Sequence, residues 1–376
     1  MNTDSYAPLS PPRRVLLGPG PSPVPASVLA ALGKPTLGHL DPHFLEIMND
    51  VRSMLRAVMR TENEPTFPMS GTGSAGMETC IVNLVEPSDK VLVGVNGVFG
   101  QRLCEVARRA GAEVHSVERE WGRALDPEAL LKKKKDGPFK LLCVVHAETS
   151  TGAVSDLGAC KRVAEELGAL LLVDCVTSLG GIPIDLDELG IDAAYSGTQK
   201  CLSCPPGLAP VSFSPRAISV VHERRTPVAS WYLDLTLISN YWGEERAYHH
   251  TAPIQMIYGL HEALRLVLEE GLDNRHARHA RNAGALWSGL EAIGLELAVP
   301  LQERLHPLTA VLVPDGIDEA QARRFLLEHH DLEIGGGLGP LKGKVWRIGL
   351  MGEGSRAENV ELVLRGLEEA LAAQGR

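Results

Sequence analysis

Two stretches decide the reading of this chain: Leu170-Leu171-Leu172-Val173-Asp174, and Ala193-Ala194-Tyr195-Ser196-Gly197-Thr198-Gln199-Lys200. Each starts as a short apolar run and ends on a reactive polar residue. The second then leaves through Pro205-Pro206-Gly207. Short runs that are apolar throughout indicate strands buried on both faces, as in parallel sheets covered by helices. Ligands of such sheets bind outside the carboxyl ends of the strands. Asp174 and Lys200 are therefore expected at the mouth of one crevice.

Working outward, strand and helix patterns alternate from about residue 68. Ser74 to Val85 reads as a helix, Lys90 to Val95 as a buried strand, and Gln101 to Arg109 as a helix closed by Gly111. Ala112 to Val117 and Leu141 to Val145 read as strands. Asp156 is the expected N-cap of a helix that Gly168 closes. After about residue 255 the texture changes to two long helices, a strand, a helix, the strand Val345 to Gly349 and a last helix. The expectation is an α/β fold with a mostly parallel sheet between helices, followed by a smaller α+β domain.

The chain has 376 residues and a formal net charge of -10, which argues against nucleic acid as a partner. Its one basic run, Lys132 to Lys135, reads as a solvated helix end. Seven scattered cysteines do not form a disulfide framework and suggest a reducing compartment. Cys201 and Cys204 have CxxC spacing, but no second pair accompanies them, so no metal site is expected. No apolar run reaches membrane length, and neither end reads as a secretory or peroxisomal signal.

The chemistry follows from the two strand ends. A primary amine condenses with an aldehyde, and a carboxylate holds a proton on a basic ring nitrogen. Lys200 and Asp174 together suit pyridoxal phosphate (PLP), which carries both groups. A surface lysine and a structural aspartate are the competing readings. Ser70-Gly71-Thr72-Gly73-Ser74-Ala75-Gly76 precedes a helix, where free N–H groups and the dipole favour a phosphate. Alone this is a weak signal, since Gly/Ser turns are common. Phe99 follows a strand and suits stacking on a ring or a place in the core, and Val176 suits packing beneath the ring. Arg347 interrupts the apolar Val345-Trp346-Arg347-Ile348-Gly349 and needs an anionic partner, either a substrate carboxylate or a structural ion pair.

Together these motifs resemble class V, fold type I PLP aminotransferases, most closely the alanine–glyoxylate / serine–pyruvate aminotransferase family. The resemblance spans nearly the whole chain, including Leu17 to Ser22, His146-Ala147-Glu148-Thr149-Ser150-Thr151-Gly152, Tyr232-Leu233-Asp234 and Tyr248-His249-His250-Thr251. It implies a large PLP-binding domain over 22–265 with a seven-stranded-type sheet, a small C-terminal α+β domain over 266–376, and an N-terminal extension, 1–21, that contacts a partner subunit. Lys200 would be the Schiff-base lysine and Asp174 the partner of the ring nitrogen. Phe99 would stack on the ring, where family members often have Trp. Thr149 would touch the ring's phenolic oxygen side. Thr72, Gly73, Ser74 and Gln199 would hold the phosphate. Tyr248 and Thr251 would reach the phosphate of the neighbouring subunit of a homodimer. Arg347 would bind the substrate carboxylate, with backbone near Gly20 helping. The implied activity is transfer of an amino group from alanine, or next serine, to glyoxylate, in the cytoplasm. Serine–pyruvate or serine–glyoxylate transfer is the alternative. A desulfurase-type lyase using Cys201 or Cys204, and a non-catalytic nucleotide-binding α/β protein, are the other readings.

Overall fold

Seven strands build the central sheet of the computed structural model, which describes residues 6–376. They are β1 (Thr66–Ser70), β2 (Lys90–Val95), β3 (Glu113–Glu118), β4 (Leu141–Val145), β5 (Leu170–Asp174), β6 (Ala193–Tyr195) and β7 (Leu208–Phe213). Their order is β1-β7-β6-β5-β4-β2-β3. Strand β7 runs antiparallel to both of its neighbours, and every other pairing is parallel. Strands β4, β5, β6 and β7 are buried along their whole length, as their unbroken apolar runs require. The edge strand β3 starts and ends on an exposed glutamate, which discourages pairing with another chain.

The covering helices include α1 (Pro42–Met59), α2 (Gly73–Leu84), α3 (Val98–Arg109), α4 (Leu157–Leu167) and α5 (Ile254–Glu270). Asp156 caps α4 by accepting from the Ala159 N–H at 3.0 Å, and Gly168 ends it in the left-handed region at φ 66°. The lysine run forms an exposed turn of 3-10 helix, Lys132–Asp136. One core cluster fills this part of the molecule, from Val28 to Val267.

A second core cluster holds Leu17 and the residues from Leu286 to Leu371. It lies among α6 (Leu272–Ala292), α7 (Glu319–His330), α8 (Ala357–Ala372) and a three-stranded antiparallel sheet. That sheet comprises β8 (Leu308–Leu312), β9 (Gly335–Gly336) and β10 (Val345–Gly349), with β10 central. Residues 15–17, within the segment read as an extension, are tied to this part. Val15–Leu16 pairs in parallel with Leu332–Glu333, and the Gly349 N–H donates to the Leu17 carbonyl at 2.8 Å. Residues 15–17 are thereby fixed beside β10, and the loop that follows them, Gly18 to Ser22, is delivered to the carboxyl ends of the central strands.

Candidate active site

The middle strands β4, β5 and β6 end level with one another: Val145 pairs with Asp174, and Asp174 with Tyr195. Asp174 is 3% exposed. Its Oδ1 accepts from the Val176 N–H at 2.8 Å, and its Oδ2 accepts from the Tyr195 hydroxyl at 2.6 Å. Burial pushes its carboxyl up to about 6, against the opposing pull of those two donors. Lys200 is also buried, at 8% exposure, and burial brings its ammonium down to about 8. The charges of Arg347, Asp174 and Glu148 all act on this amine. The Lys200 ammonium donates to the Pro19 carbonyl. Gly20 follows at φ 110°, and a Cβ there would lie 2.9 Å from both Cδ and Nζ of Lys200. Only glycine fits, for conformational and steric reasons alike. Ser22 holds the lysine turn in place: its N–H donates to the Gln199 carbonyl at 2.9 Å and its hydroxyl to the Lys200 carbonyl at 2.7 Å.

Arg347 comes from the other sheet and is 6% exposed. Its Nε donates to the Gly336 carbonyl at 2.7 Å and its Nη1 to the Thr149 carbonyl at 3.1 Å. Among the described residues no carboxylate forms an ion pair with it. Burial lowers its guanidinium to about 10, with Glu148 acting the other way. The structural ion pair expected as one reading of this residue is not formed, and Nη2 has no acceptor among the described residues. The Thr149 hydroxyl pairs with that of Thr177. Glu148 is fully buried; its Oε1 accepts from the Ser150 N–H at 3.0 Å and hydroxyl at 2.5 Å, and its Oε2 from the Phe99 N–H at 3.2 Å. Phe99 itself is half-buried, with the Arg102 guanidinium 4.8 Å above its ring.

The glycine loop closes the site on another side. Gly73 lies so near Val176 that a Cβ would be 3.2 Å from its Cγ2, and Gly197 lies in contact distance of the same valine. No side chain of the loop caps α2, whose first turn begins at Gly73 behind the exposed Thr72. Ser74 accepts a hydrogen bond from Arg102 Nη1 at 3.4 Å. The Gln199 amide oxygen is buried and unpartnered. The uncapped N–H groups at the start of α2 are donors suited to a phosphate, whereas the Gln199 oxygen is an acceptor and looks for a donor of its own. Tyr248 and Thr251 stand apart: both are exposed, Tyr248 at 62%, and neither joins this network. Between them, His250 Nε2 contacts the Ser70 hydroxyl at 2.7 Å and so ties the segment to the glycine loop. Cys201 and Cys204 are buried, and burial pushes both thiols up to about 12, so neither is a reactive thiolate.

Sequence reasoning missed two residues. Tyr195 read as core, and its hydroxyl contact with Asp174 depends on strand register. Glu148 was quoted within a motif without a role; the signal was an acid just beyond the apolar Leu141 to Val145, among small hydroxyl residues. Residues 14–340 match the family described as Aminotransferase class-V. The (S)-ureidoglycine–glyoxylate transaminase of Bacillus subtilis (strain 168) is 41% identical over 378 residues, covering 96% of this chain and 91% of that protein. The alanine–glyoxylate aminotransferase of Callithrix jacchus is 41% identical over 368 residues, covering 97% and 89%. The crystal structure of an alanine–glyoxylate aminotransferase from Nostoc sp. matches with a TM-score of 0.96 at 50% identity, over 99% of both chains. Likeness of this extent reaches from the Gly18 to Ser22 loop to the Arg347 strand, and the chain belongs to the class-V aminotransferases.

Proposed function

We propose that this aminotransferase moves the amino group of alanine, and next of serine, to glyoxylate, releasing pyruvate or hydroxypyruvate and forming glycine. The observation that carries the reading is Arg347: a buried guanidinium without a carboxylate partner, electrostatically coupled to a buried amine. An α-amino acid and an α-keto acid both present a carboxylate to such a group. The backbone of Pro19 and Gly20 walls in the amine, which favours a small side chain. The Bacillus subtilis and Callithrix jacchus relatives share glyoxylate in their names and differ in the amino donor.

The residues suit PLP, the cofactor of this family. When bound, PLP supplies an aldehyde for the donor amine and a protonated ring that takes up electrons from the α-carbon. Lys200 supplies the amine that holds the cofactor until a donor displaces it, and the freed amine then carries a proton from the α-carbon. With its pKa near 8 that amine is poised to lose and regain a proton close to neutral pH. Asp174 holds the proton on the ring nitrogen, and Tyr195 and the Val176 N–H orient its carboxylate. Phe99 and Val176 enclose the ring, with the Thr149 hydroxyl toward its phenolic oxygen. Thr72, Gly73, Ser74 and Gln199 hold the phosphate. Arg347, helped by backbone at Gly20, orients the substrate carboxylate.

Tyr248 and Thr251 complete the phosphate subsite of a second copy in a homodimer; their exposure supports this placement. No helix among the described residues is long and apolar enough to cross a membrane, and the buried free cysteines are in keeping with a cytoplasmic enzyme. A desulfurase reading fails on the two inert thiols. The test is a donor panel of alanine, serine, (S)-ureidoglycine and aspartate against glyoxylate and pyruvate, with the keto-acid products identified. Alanine with glyoxylate should give the highest kcat/KM. A preference of about tenfold or more for another donor would overturn the assignment.

A further inference from the structure

Phe99 is the first-turn residue of α3, yet α3 has no cap of its own: Gly97 at the N-cap position offers no side chain. The first N–H groups of the helix are held from across the site. Val98 N–H donates to the Ser150 hydroxyl at 3.0 Å, and Phe99 N–H to Glu148 Oε2 at 3.2 Å. The Ser150 hydroxyl donates a hydrogen bond to Glu148 Oε1 at 2.5 Å, and its N–H donates to the same oxygen at 3.0 Å. Every bond to Glu148 is one that a carboxylate accepts. Gly97 is extended at φ 175°, so its backbone does not require glycine; the carboxylate requires it. A Cβ there would lie 2.4 Å from Cγ and Cδ of Glu148 and 2.5 Å from the Ser150 hydroxyl. The residue between them, Thr149, gives its carbonyl to Arg347. One three-residue turn thus grips both the backbone that carries Phe99 and the guanidinium of Arg347.

We propose that Glu148, with Ser150, is a positioning residue that sets the Phe99 ring against the cofactor and couples that setting to Arg347. Its carboxylate touches neither substrate nor cofactor and acts through the backbone N–H groups of Val98 and Phe99. This rests on the placement of Phe99 against PLP given above. A buried carboxylate in place of a local Ser or Asp cap ties the aromatic ring to the substrate arginine, which an ordinary cap would not do.

The discriminating variant is Glu148→Gln. It has the same shape, but its amide presents a donor to one of the N–H groups that the carboxylate accepts. The measurements are the melting temperature of the apoprotein, the dissociation constant for PLP by fluorescence titration, and the visible circular dichroism of bound PLP. The expected result is an apoprotein as stable as wild type, PLP bound about tenfold more weakly, equivalent to about 1.4 kcal/mol, and a diminished visible band. Phe99→Ala and the double variant complete a cycle, in which Glu148→Gln should add nothing once the ring is gone. Wild-type affinity and dichroism in Glu148→Gln would overturn the proposal, as would full additivity, or weaker binding that merely follows a lost fold. If Glu148→Gln does not fold, Ser150→Ala removes the acceptor for Val98 and carries the same comparison. A Phe99→Ala variant that binds PLP normally would instead refute the placement of Phe99.

Discussion

Asp174 should make the apoprotein less stable at neutral pH than it would be with an asparagine there. Burial raises its carboxyl from an ordinary 3.8 to about 6. Below about pH 3 the group is protonated in both the folded and unfolded chain, and it contributes no difference. Between there and about pH 6 the folded chain keeps a proton that the unfolded chain has released, so stability falls as pH rises. Above that window the penalty is complete: roughly two pKa units at about 1.36 kcal/mol each, or about 3 kcal/mol. Asp174→Asn removes the charge and keeps the shape. Its amide oxygen still accepts from the Val176 N–H, and its amide nitrogen donates to Tyr195, whose hydroxyl can turn to accept. With an unfolding entropy of about 2.1 cal/mol/K per residue over 376 residues, the gain is about 4 °C in Tm at pH 7.5. At pH 4 the gain should shrink to about 0.5 kcal/mol, under about 1 °C. PLP should bind the variant more weakly, so that added cofactor raises its Tm less than that of wild type. The assay is thermal denaturation of both apoproteins across pH 4 to 8, with and without PLP. An apo variant less stable than wild type at pH 7.5, or a gain at pH 4 as large as at pH 7.5, would refute the burial argument.

Two substitutions probe the walls of the site. Gly20→Ala places a methyl 2.9 Å from Cδ and Nζ of Lys200, and the flexible end of the lysine gives way before the backbone does. A fall in kcat/KM of about a hundredfold is expected from displacing the amine by about 1 Å, with a strain cost of about 1–3 kcal/mol at positive φ; wild-type kinetics would show that the amine tolerates the shift. Arg347→Lys loses the planar fork held by Gly336 and Thr149. KM for alanine should rise about 10- to 100-fold, the worth of a hydrogen bond to a charged group, with kcat changed less. An unchanged KM in steady-state assays would remove Arg347 from the substrate site.

What the sequence made legible were the breaks in pattern. Asp174, Lys200 and Arg347 each interrupt or end an apolar run, and a charge in that setting has few structural explanations. What stayed hidden depends on pairings across long sequence separations. The reversed direction of β7 is invisible in Leu208–Phe213, because a strand buried on both faces has the same composition whichever way it runs. Tyr195 reads as core until register sets it beside Asp174. Glu148 acquires its role only when the turn it occupies meets Val98 and Phe99, about fifty residues earlier in the chain. The two-residue strand Val15–Leu16 is too short for periodicity to reveal, so its attachment beside Leu332 could not be foreseen.

The contrast between two buried arginines shows why the site can be told from scaffolding. Arg275 is 5% exposed, and the chain itself satisfies it: Glu270 at 2.6 Å, the Gly180 carbonyl at 3.0 Å and the Cys201 carbonyl at 2.6 Å. Glu270, shared with Arg278, falls to about 2 despite its burial. Such a cluster is complete and asks for no ligand. Arg347, equally buried, has two backbone carbonyls and no counter-ion. Asp174 and Lys200 are in the same condition, each driven toward neutrality by burial, to about 6 and about 8. Three desolvated charges, each without a paired opposite, destabilise the empty fold. On the proposed function, one set of ligand groups would relieve them all: a cationic ring nitrogen for Asp174, an aldehyde for Lys200 and a carboxylate for Arg347. On that reading, binding of cofactor and substrate would return the stability that these three desolvated groups cost the fold.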